Sequence, residues 1–393
     1  MTPLAARLGG FYFFYFSVIG ALVPYLGPYL DRRGFEPVLI GQLVSIVLGM
    51  RVLAPGLWAM FADRAGRRAG VIRLASVASM AGFSLLVLDP GAAGIAVALA
   101  LFSFAWTGLL PQYEATTLSH LGDDIHRYGH VRVWGSVGFI LATLAGGLIF
   151  AGPGALRVPE VVLVVMSAVA AAAWMTPEAP PSPHAADSDG LLAAIRRPSV
   201  LALFAVLIFQ LASFGPYYVF FTLYVEQAGY STRMAGFLWS WGAAAEIVLF
   251  LYAPRLLRRY SLSRLMQWAL AATAVRWVLT ALMVDNLAVL FFCQTLHLAG
   301  FGLFHAVAVV LIHRWFSGRL QGRGQALYSS IGFGIGGGLG SFYSGYAWEG
   351  LGPSETYLIA AGLAAAGWVI ARLALDTSAV DGAAVEAGAT KSR

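Results

Sequence analysis

Charge is what this sequence has least of. Only 11% of its 393 residues are Asp, Glu, Lys or Arg, where a soluble domain of average composition has about 25%. Too few charges remain to hydrate the surface of a water-soluble globule. Cysteine is scarcer still: Cys293 stands alone, so an intramolecular disulfide is excluded, and inside an apolar run it reads as a small buried hydrophobe. No His/Cys cluster with metal-ligand spacing, no nucleophile motif and no basic stripe suited to nucleic acid is present. An enzyme, a metal or other cofactor, and a nucleic-acid partner are therefore not expected.

What fills the chain instead is apolar: 59% of the residues are hydrophobic. Reading runs between charged or Pro/Gly punctuation gives spans near 9–30, 38–60, 71–88, 93–118, 132–151 and 159–175. A second set lies near 199–225, 232–254, 263–283, 287–312, 324–346 and 355–373. A bilayer core of about 30 Å takes about 20 such residues per helix, so the fold expected is an all-α membrane protein of twelve helices. The composition between the two sets, Pro177 to Pro198, is rich in Pro, Ser and Asp and marks a flexible loop. Four regions follow: a six-helix bundle over 1–175, a linker over 176–198, a second six-helix bundle over 199–373, and a tail over 374–393 whose Ala, Gly and Ser predict disorder.

Arginine placement predicts orientation. With the N-terminus inside, cytoplasmic loops hold Arg64, Arg67, Arg68, Arg127, Arg196, Arg197, Arg255, Arg258, Arg259, Arg314, Arg319 and Arg323, against Arg32, Arg33, Arg157 and Arg233 outside. That asymmetry follows the positive-inside rule and puts both termini in the cytoplasm. It also accounts for the net charge of +6 as a matter of loop topology. The first span starts almost at Met1, exceeds signal-peptide length and carries Pro24 and Pro28, so it is expected to be retained.

Five charged side chains lie well inside the apolar runs: Arg51, Glu114, Arg132, Glu246 and Arg276. A charge at mid-bilayer depth costs about 2.5–3.5 kcal/mol, so it persists where it faces a cavity or a partner. Three arginines against two acids leave one positive charge, which an anionic substrate would complete by a bidentate bond to its carboxylate. Arg51 has an alternative: about nine residues from the end of its helix, it can snorkel to the interface. Among the aromatics, Tyr15, Tyr113, Tyr217 and Trp239 are candidate walls for a planar ligand, though lipid-facing or interfacial packing accounts for most such residues. The glycines from Gly332 to Gly340 lack a following Gly-Lys-Ser/Thr, so they suit close helix packing rather than a phosphate loop.

Between the second and third spans the chain reads Asp63-Arg64-Ala65-Gly66-Arg67-Arg68. This resembles the loop signature of the major facilitator superfamily, with Ala59 where its leading Gly stands. An Asp there can bond a helix N-terminus and an Arg, latching two helices in the outward-facing state; a plain positive-inside turn is the alternative. The run Tyr128-Gly129-His130-Val131-Arg132-Val133-Trp134-Gly135 resembles the start of the fifth helix in the lactose permease group. It is more similar still to the phenylpropionate permease group, as are Leu238-Trp239-Ser240, Ala245-Glu246-Ile247, Val275-Arg276-Trp277 and Leu296-His297.

The resemblance implies roles. Glu114 and Arg132 keep the eighteen-residue spacing of the lactose permease substrate pair, with Phe139 where that group has a stacking Trp; a structural ion pair is the alternative. Arg51 is similar to an Arg of the phenylpropionate group. Arg276 and His297 match residues tied to proton coupling, yet Gly300 replaces the acid one turn after the His and Gln294 the Lys one turn before it. Glu246 is then the first candidate proton carrier, by alternating contact with Arg276, and Glu114 its rival. His305, two turns after His297, joins the same polar track or lines a helix contact. The implied activity is proton-coupled import of a small organic solute by alternating access, an aromatic carboxylate such as 3-phenylpropionate first, a sugar or nucleoside second. The implied setting is the cytoplasmic membrane, as a monomer. A non-transporting sensor of the same fold is the different-class alternative.

Overall fold

The computed structural model describes residues 3–178, 190–316 and 318–377, and every regular element among them is helical. Part of the expected linker and the expected tail from 378 onward lie outside the described residues. Among the described residues eleven helices are long and apolar enough to cross a membrane. In chain order these include α1 (Leu4–Arg32), α2 (Pro37–Ala62), α3 (Arg68–Leu88), α4 (Ala92–Leu121), α5 (Tyr128–Ile149) and α6 (Gly152–Met175). They continue with α7 (Pro198–Gln227), α8 (Thr232–Arg259), α9 (Leu262–Leu282) and α10 (Leu287–Trp315). Next is a helical run, α11, made of Gln321–Tyr328, Ser329–Gly336 and Gly337–Gly350. Its glycines, serines and tyrosines keep it less apolar than the others. The eleventh membrane-length helix, α12, is Pro353–Ala374.

Local chemistry sets the helix ends. Pro37, Pro198 and Pro353 sit in first turns, where a missing N–H costs nothing because that donor has no intrahelical partner. Ser261 accepts from the Arg264 N–H, and Asn286 from those of Ala288 and Val289, capping α9 and α10. Gly66, at φ 62°, closes the turn after α2 in the left-handed region that glycine enters freely.

Four helices among the described residues are interrupted along their length. In α2 a tighter turn, Met50–Val52, precedes Pro55. In α7 the helix breaks at Phe214, before Gly215-Pro216, since proline offers no N–H to the turn below. Both α10, at Leu298–Leu303, and α11, at Ser329–Gly336, contain wider π-helical turns. Irregular backbone is tolerated at membrane depth where neighbouring helices take up the freed groups.

Close packing divides the chain into two units. One holds α1 to α6 together with Tyr217–Ser240 and Ser341–Gly350. Here α1 packs along α5 and α6, and α3 against α4 and α6. At Gly138 the α1 and α5 backbones touch: a Cβ there would run into the Phe13 carbonyl, the kind of approach small residues permit in membrane helices. In the same way Gly27 admits the Val219 carbonyl. Polar bonds join these segments as well: Arg32 Nη2 lies 3.3 Å from Glu226 Oε2, and the Val38 N–H donates to Glu349 Oε2 at 3.1 Å. The other unit holds 190–216, Trp241–Gly340 and 351–377. In it α12 lies along α9 and the first part of α7, around a core that includes Leu203, Leu207, Met266, Leu270 and Leu311.

Candidate functional site

In the first unit the polar centre is built on α4 and α5, which a short 3₁₀ segment, Gly122–Arg127, joins. The antiparallel turn brings Glu114 and Arg132 to the same depth, with Arg132 Nε 3.8 Å from Glu114 Oε1. The pair is roughly one-third exposed, 30% for Arg132 and 37% for Glu114, so it is a screened, loosely held contact rather than a strong structural tie. Tyr128 donates its hydroxyl to Glu114 Oε1 at 3.2 Å. The Arg132 guanidinium lies over Phe16, 4.1 Å from the ring centre, and 5.5 Å from that of Tyr12. Tyr12 in turn donates to Thr117 Oγ1 at 3.2 Å.

Around this pair the aromatic side chains are stacked. Phe11 and Tyr113 lie 3.6 Å apart between ring centres, nearly parallel, and Tyr15 and Trp106 4.3 Å apart. Tyr113 is wholly buried and its hydroxyl shares a hydrogen bond of 2.9 Å with Thr176. Half-buried Arg51 occupies the tight turn of α2 and acts electrostatically on the Tyr15 phenol, as Glu114 and Arg132 do. Phe139 is half-buried, one turn before Thr143, which donates to its carbonyl at 2.7 Å. Tyr217 and Trp239 are buried and packed on one another at 4.1 Å, and the Trp239 indole N–H donates to Thr222.

The second unit holds a different centre. Arg276, on α9, is fully buried; its Nη1 lies 2.8 Å from His297 Nδ1, and its Nη2 donates to Gln294 Oε1 at 3.1 Å. Its guanidinium also faces Trp277 at 4.3 Å and Phe214 at 5.6 Å. A guanidinium can only donate, so Nδ1 is the accepting nitrogen of His297 and the neutral ring carries its proton on Nε2. That Nε2 lies 3.6 Å from Glu246 Oε1. His297 therefore stands between Arg276 and Glu246, the two residues expected to make alternating contact. His305 Nδ1 lies 2.6 Å from the Tyr328 hydroxyl of α11. Among the described residues no group of three or more His, Cys, Asp or Glu is placed to hold a metal ion.

Of the loop residues, Asp63 falls in the last turn before Gly66, and its side chain lies outside the described residues. Arg64 and Arg67 are exposed, and Arg68 begins α3 half-exposed. A polar tie nearby escaped the sequence reading. The Glu178 carboxylate accepts the Ala69 N–H at the start of α3, at 3.1 and 3.2 Å. Arg73, in reverse, donates to the Thr176 carbonyl at the end of α6 at 3.1 Å. Gln210 escapes that reading as well, because an inventory of full charges does not register a neutral amide inside an apolar run.

Known proteins agree with this architecture. A family model described as the MFS_1 like family matches residues 5–359. A maltose permease of Geobacillus stearothermophilus is 28% identical over 348 residues, covering 86% of each chain. A probable 3-phenylpropionic acid transporter of Escherichia coli (strain K12) is 25% identical over 357 residues, covering 89% of this chain and 92% of the relative. The crystal structure of the nucleoside transporter NupG superimposes with a TM-score of 0.80 at 19% identity, over 94% of this chain and 99% of that one, a likeness of fold. These relatives and neighbours are transporters, not enzymes. The chain belongs to the MFS_1 like family and is a multi-pass membrane transporter of the major facilitator superfamily.

Proposed function

We propose that the protein imports a small aromatic carboxylate, 3-phenylpropionate or a close analogue, together with protons and by alternating access. The single observation that carries the substrate class is the seating of Arg132. Its guanidinium rests on the faces of Phe16 and Tyr12 while its Nε edge meets Glu114. The remaining Nη pair is the edge that forks a carboxylate, and the surrounding rings suit a planar group. Arg51 and Phe139 complete the substrate residues, with Tyr15, Tyr113, Tyr217 and Trp239 shaping the aromatic surroundings. The relative that carries 3-phenylpropionic acid in its name supports the same choice.

The coupling centre in this reading is Glu246 with His297 and Arg276, extended by His305. Protonation of Glu246 would break its contact with His297 Nε2, and its return would restore it. Asp63, Arg64, Gly66, Arg67 and Arg68 form the conformational latch. In the proposed topology α11 is the twelfth membrane crossing, with bundles over 1–175 and 199–373, cytoplasmic termini and a monomeric protein in the cytoplasmic membrane.

A second reading has its own observation: Glu114 already meets Arg132, and Tyr128 donates to the same carboxylate. A charge-balanced pair with acceptor and hydroxyl groups suits a hydroxylated ring, as in a sugar or nucleoside, and one relative is named a maltose permease. A thermal-shift series on the purified protein with 3-phenylpropionate, maltose and a nucleoside separates the two, since a ligand that binds only the folded state raises its apparent stability. A saturating shift with 3-phenylpropionate alone is expected. A shift with maltose or the nucleoside alone would replace the first reading by the second, and no shift with any would remove both.

A further inference from the structure

Midway along α10 the helix changes its winding. The Phe304 N–H, which in an α-helix would close on the Gly300 carbonyl, reaches one residue further back to Ala299. Gln210 takes up the Gly300 carbonyl from α7: its Nε2 lies 2.7 Å from that oxygen and 2.8 Å from Thr273 Oγ1 of α9. Gln210 and Thr273 are both fully buried, so one amide joins three helices at the wide turn. Its Oε1 has no hydrogen-bond partner among the described residues, and the amide therefore acts through its donors. Gly300 completes the joint: a Cβ built there would stand 2.6 Å from Thr273 Oγ1. The acid of the lactose permease pattern has no room at this position.

The wide turn changes which side chains share a face. In a regular α-helix residues eight apart point about 80° away from one another. Absorbing one extra residue brings them to within about 20°. His297, Phe301 and His305 accordingly form a parallel column, with ring planes 7° apart for the first pair and 5° for the second, and centres 5.3 and 6.2 Å apart. The column starts at Glu246, beside His297, and ends at Tyr328, bonded to His305. Next to Gln210 on α7, Ser213 accepts from the Trp277 indole at 3.2 Å, and the Phe214 ring packs 5.9 Å from that of His297.

We propose that Gln210 is a positioning residue for proton coupling. By holding the Gly300 carbonyl, it keeps α10 in the register that aligns His297 with His305 and sets His297 between Arg276 and Glu246. The proposal rests on the coupling roles assigned above to Glu246 and His297. Losing the amide donors lets α10 relax toward regular winding, which turns His305 off the column while leaving the substrate residues of the first unit in place.

The test uses full-length protein in vesicles with labelled 3-phenylpropionate, comparing exchange with gradient-driven accumulation from about pH 5 to 8, the range in which histidine titrates. Gln210→Met keeps length and apolar packing without the donors. Accumulation should fall about tenfold, the factor two modest hydrogen bonds carry together, and lose its dependence on pH, while exchange continues. Gly300→Ala should act in the same way, and Thr273→Ala in that background should restore accumulation by clearing the space. This pair answers the question even where Gln210→Met fails to fold. Wild-type accumulation and pH profile in folded Gln210→Met, or in Gly300→Ala, would overturn the proposal, as would parallel loss of exchange and accumulation. Glu246→Gln separates the two levels. Undiminished accumulation there removes the coupling reading and this proposal with it, whereas decoupling there beside a normal Gln210→Met removes only the role of Gln210.

Discussion

His297 lies between Arg276 and Glu246: Arg276 Nη1 lies 2.8 Å from His297 Nδ1, and the far nitrogen of the same ring lies 3.6 Å from the Glu246 carboxylate. The ring thus sits between the buried guanidinium and the acid to which the proposed coupling assigns the proton. In the proposed coupling scheme the histidine is the joint between a fixed charge and a variable one.

That geometry orders two substitutions. His297→Gln keeps an acceptor for Arg276 Nη1, whereas His297→Phe removes the acceptor that His297 supplies to it, at a cost of about 1–3 kcal/mol. Thermal unfolding in detergent should rank wild type above His297→Gln and His297→Gln well above His297→Phe. Equal stability of the two variants would mean that the Arg276 bond contributes little.

Arg132→Lys keeps the charge and loses both the planar fork and the stacking on Phe16. Affinity for 3-phenylpropionate should fall about tenfold or more, equivalent to about 1.4 kcal/mol, as measured by calorimetry or saturation of the thermal shift. Wild-type affinity would place the carboxylate elsewhere.

In the proposed function the latch acts on state populations rather than on substrate contacts. Asp63→Asn should therefore slow transport in vesicles while binding in detergent stays near wild type. Loss of binding by a folded Asp63→Asn protein would end the latch assignment.

Packing gives a prediction independent of function. A side chain at Gly138 must displace the Phe13 carbonyl, and overpacking of this kind costs about 1–3 kcal/mol. Gly138→Val should unfold at lower temperature than wild type, while the same change at Gly49, where nothing lies within 4 Å, should be far milder. Matching losses at both positions would contradict the close approach of α1 and α5.

Much of this molecule is legible in its sequence, for physical reasons. Apolar runs long enough for a bilayer leave little freedom, and the eleven membrane-length helices among the described residues begin and end within about seven residues of the run boundaries. The pairing of Glu114 with Arg132 follows from their equal distances from one turn. The run from Gln321 to Gly350 is helical yet weakly apolar, because glycine supplies packing without hydrophobicity. Less legible is whatever depends on winding. Spacing puts His305 on a candidate polar track with His297, but nothing in Leu298–Leu303 announces the π turn that aligns them, so the value of Gln210 cannot be read from spacing. The same holds for Glu178 and Arg73, whose partners are backbone groups that carry no sequence signal.

The most direct measurement of the central claim is uptake of labelled 3-phenylpropionate by vesicles under an imposed inward proton gradient, in wild type and in Glu246→Gln. The account predicts accumulation above the external concentration in wild type, and in Glu246→Gln exchange without accumulation, because exchange requires no net change of protonation. Accumulation that survives in Glu246→Gln but disappears in Glu114→Gln would move the coupling site to the Arg132 pair; accumulation that survives in both would contradict a carboxylate proton carrier.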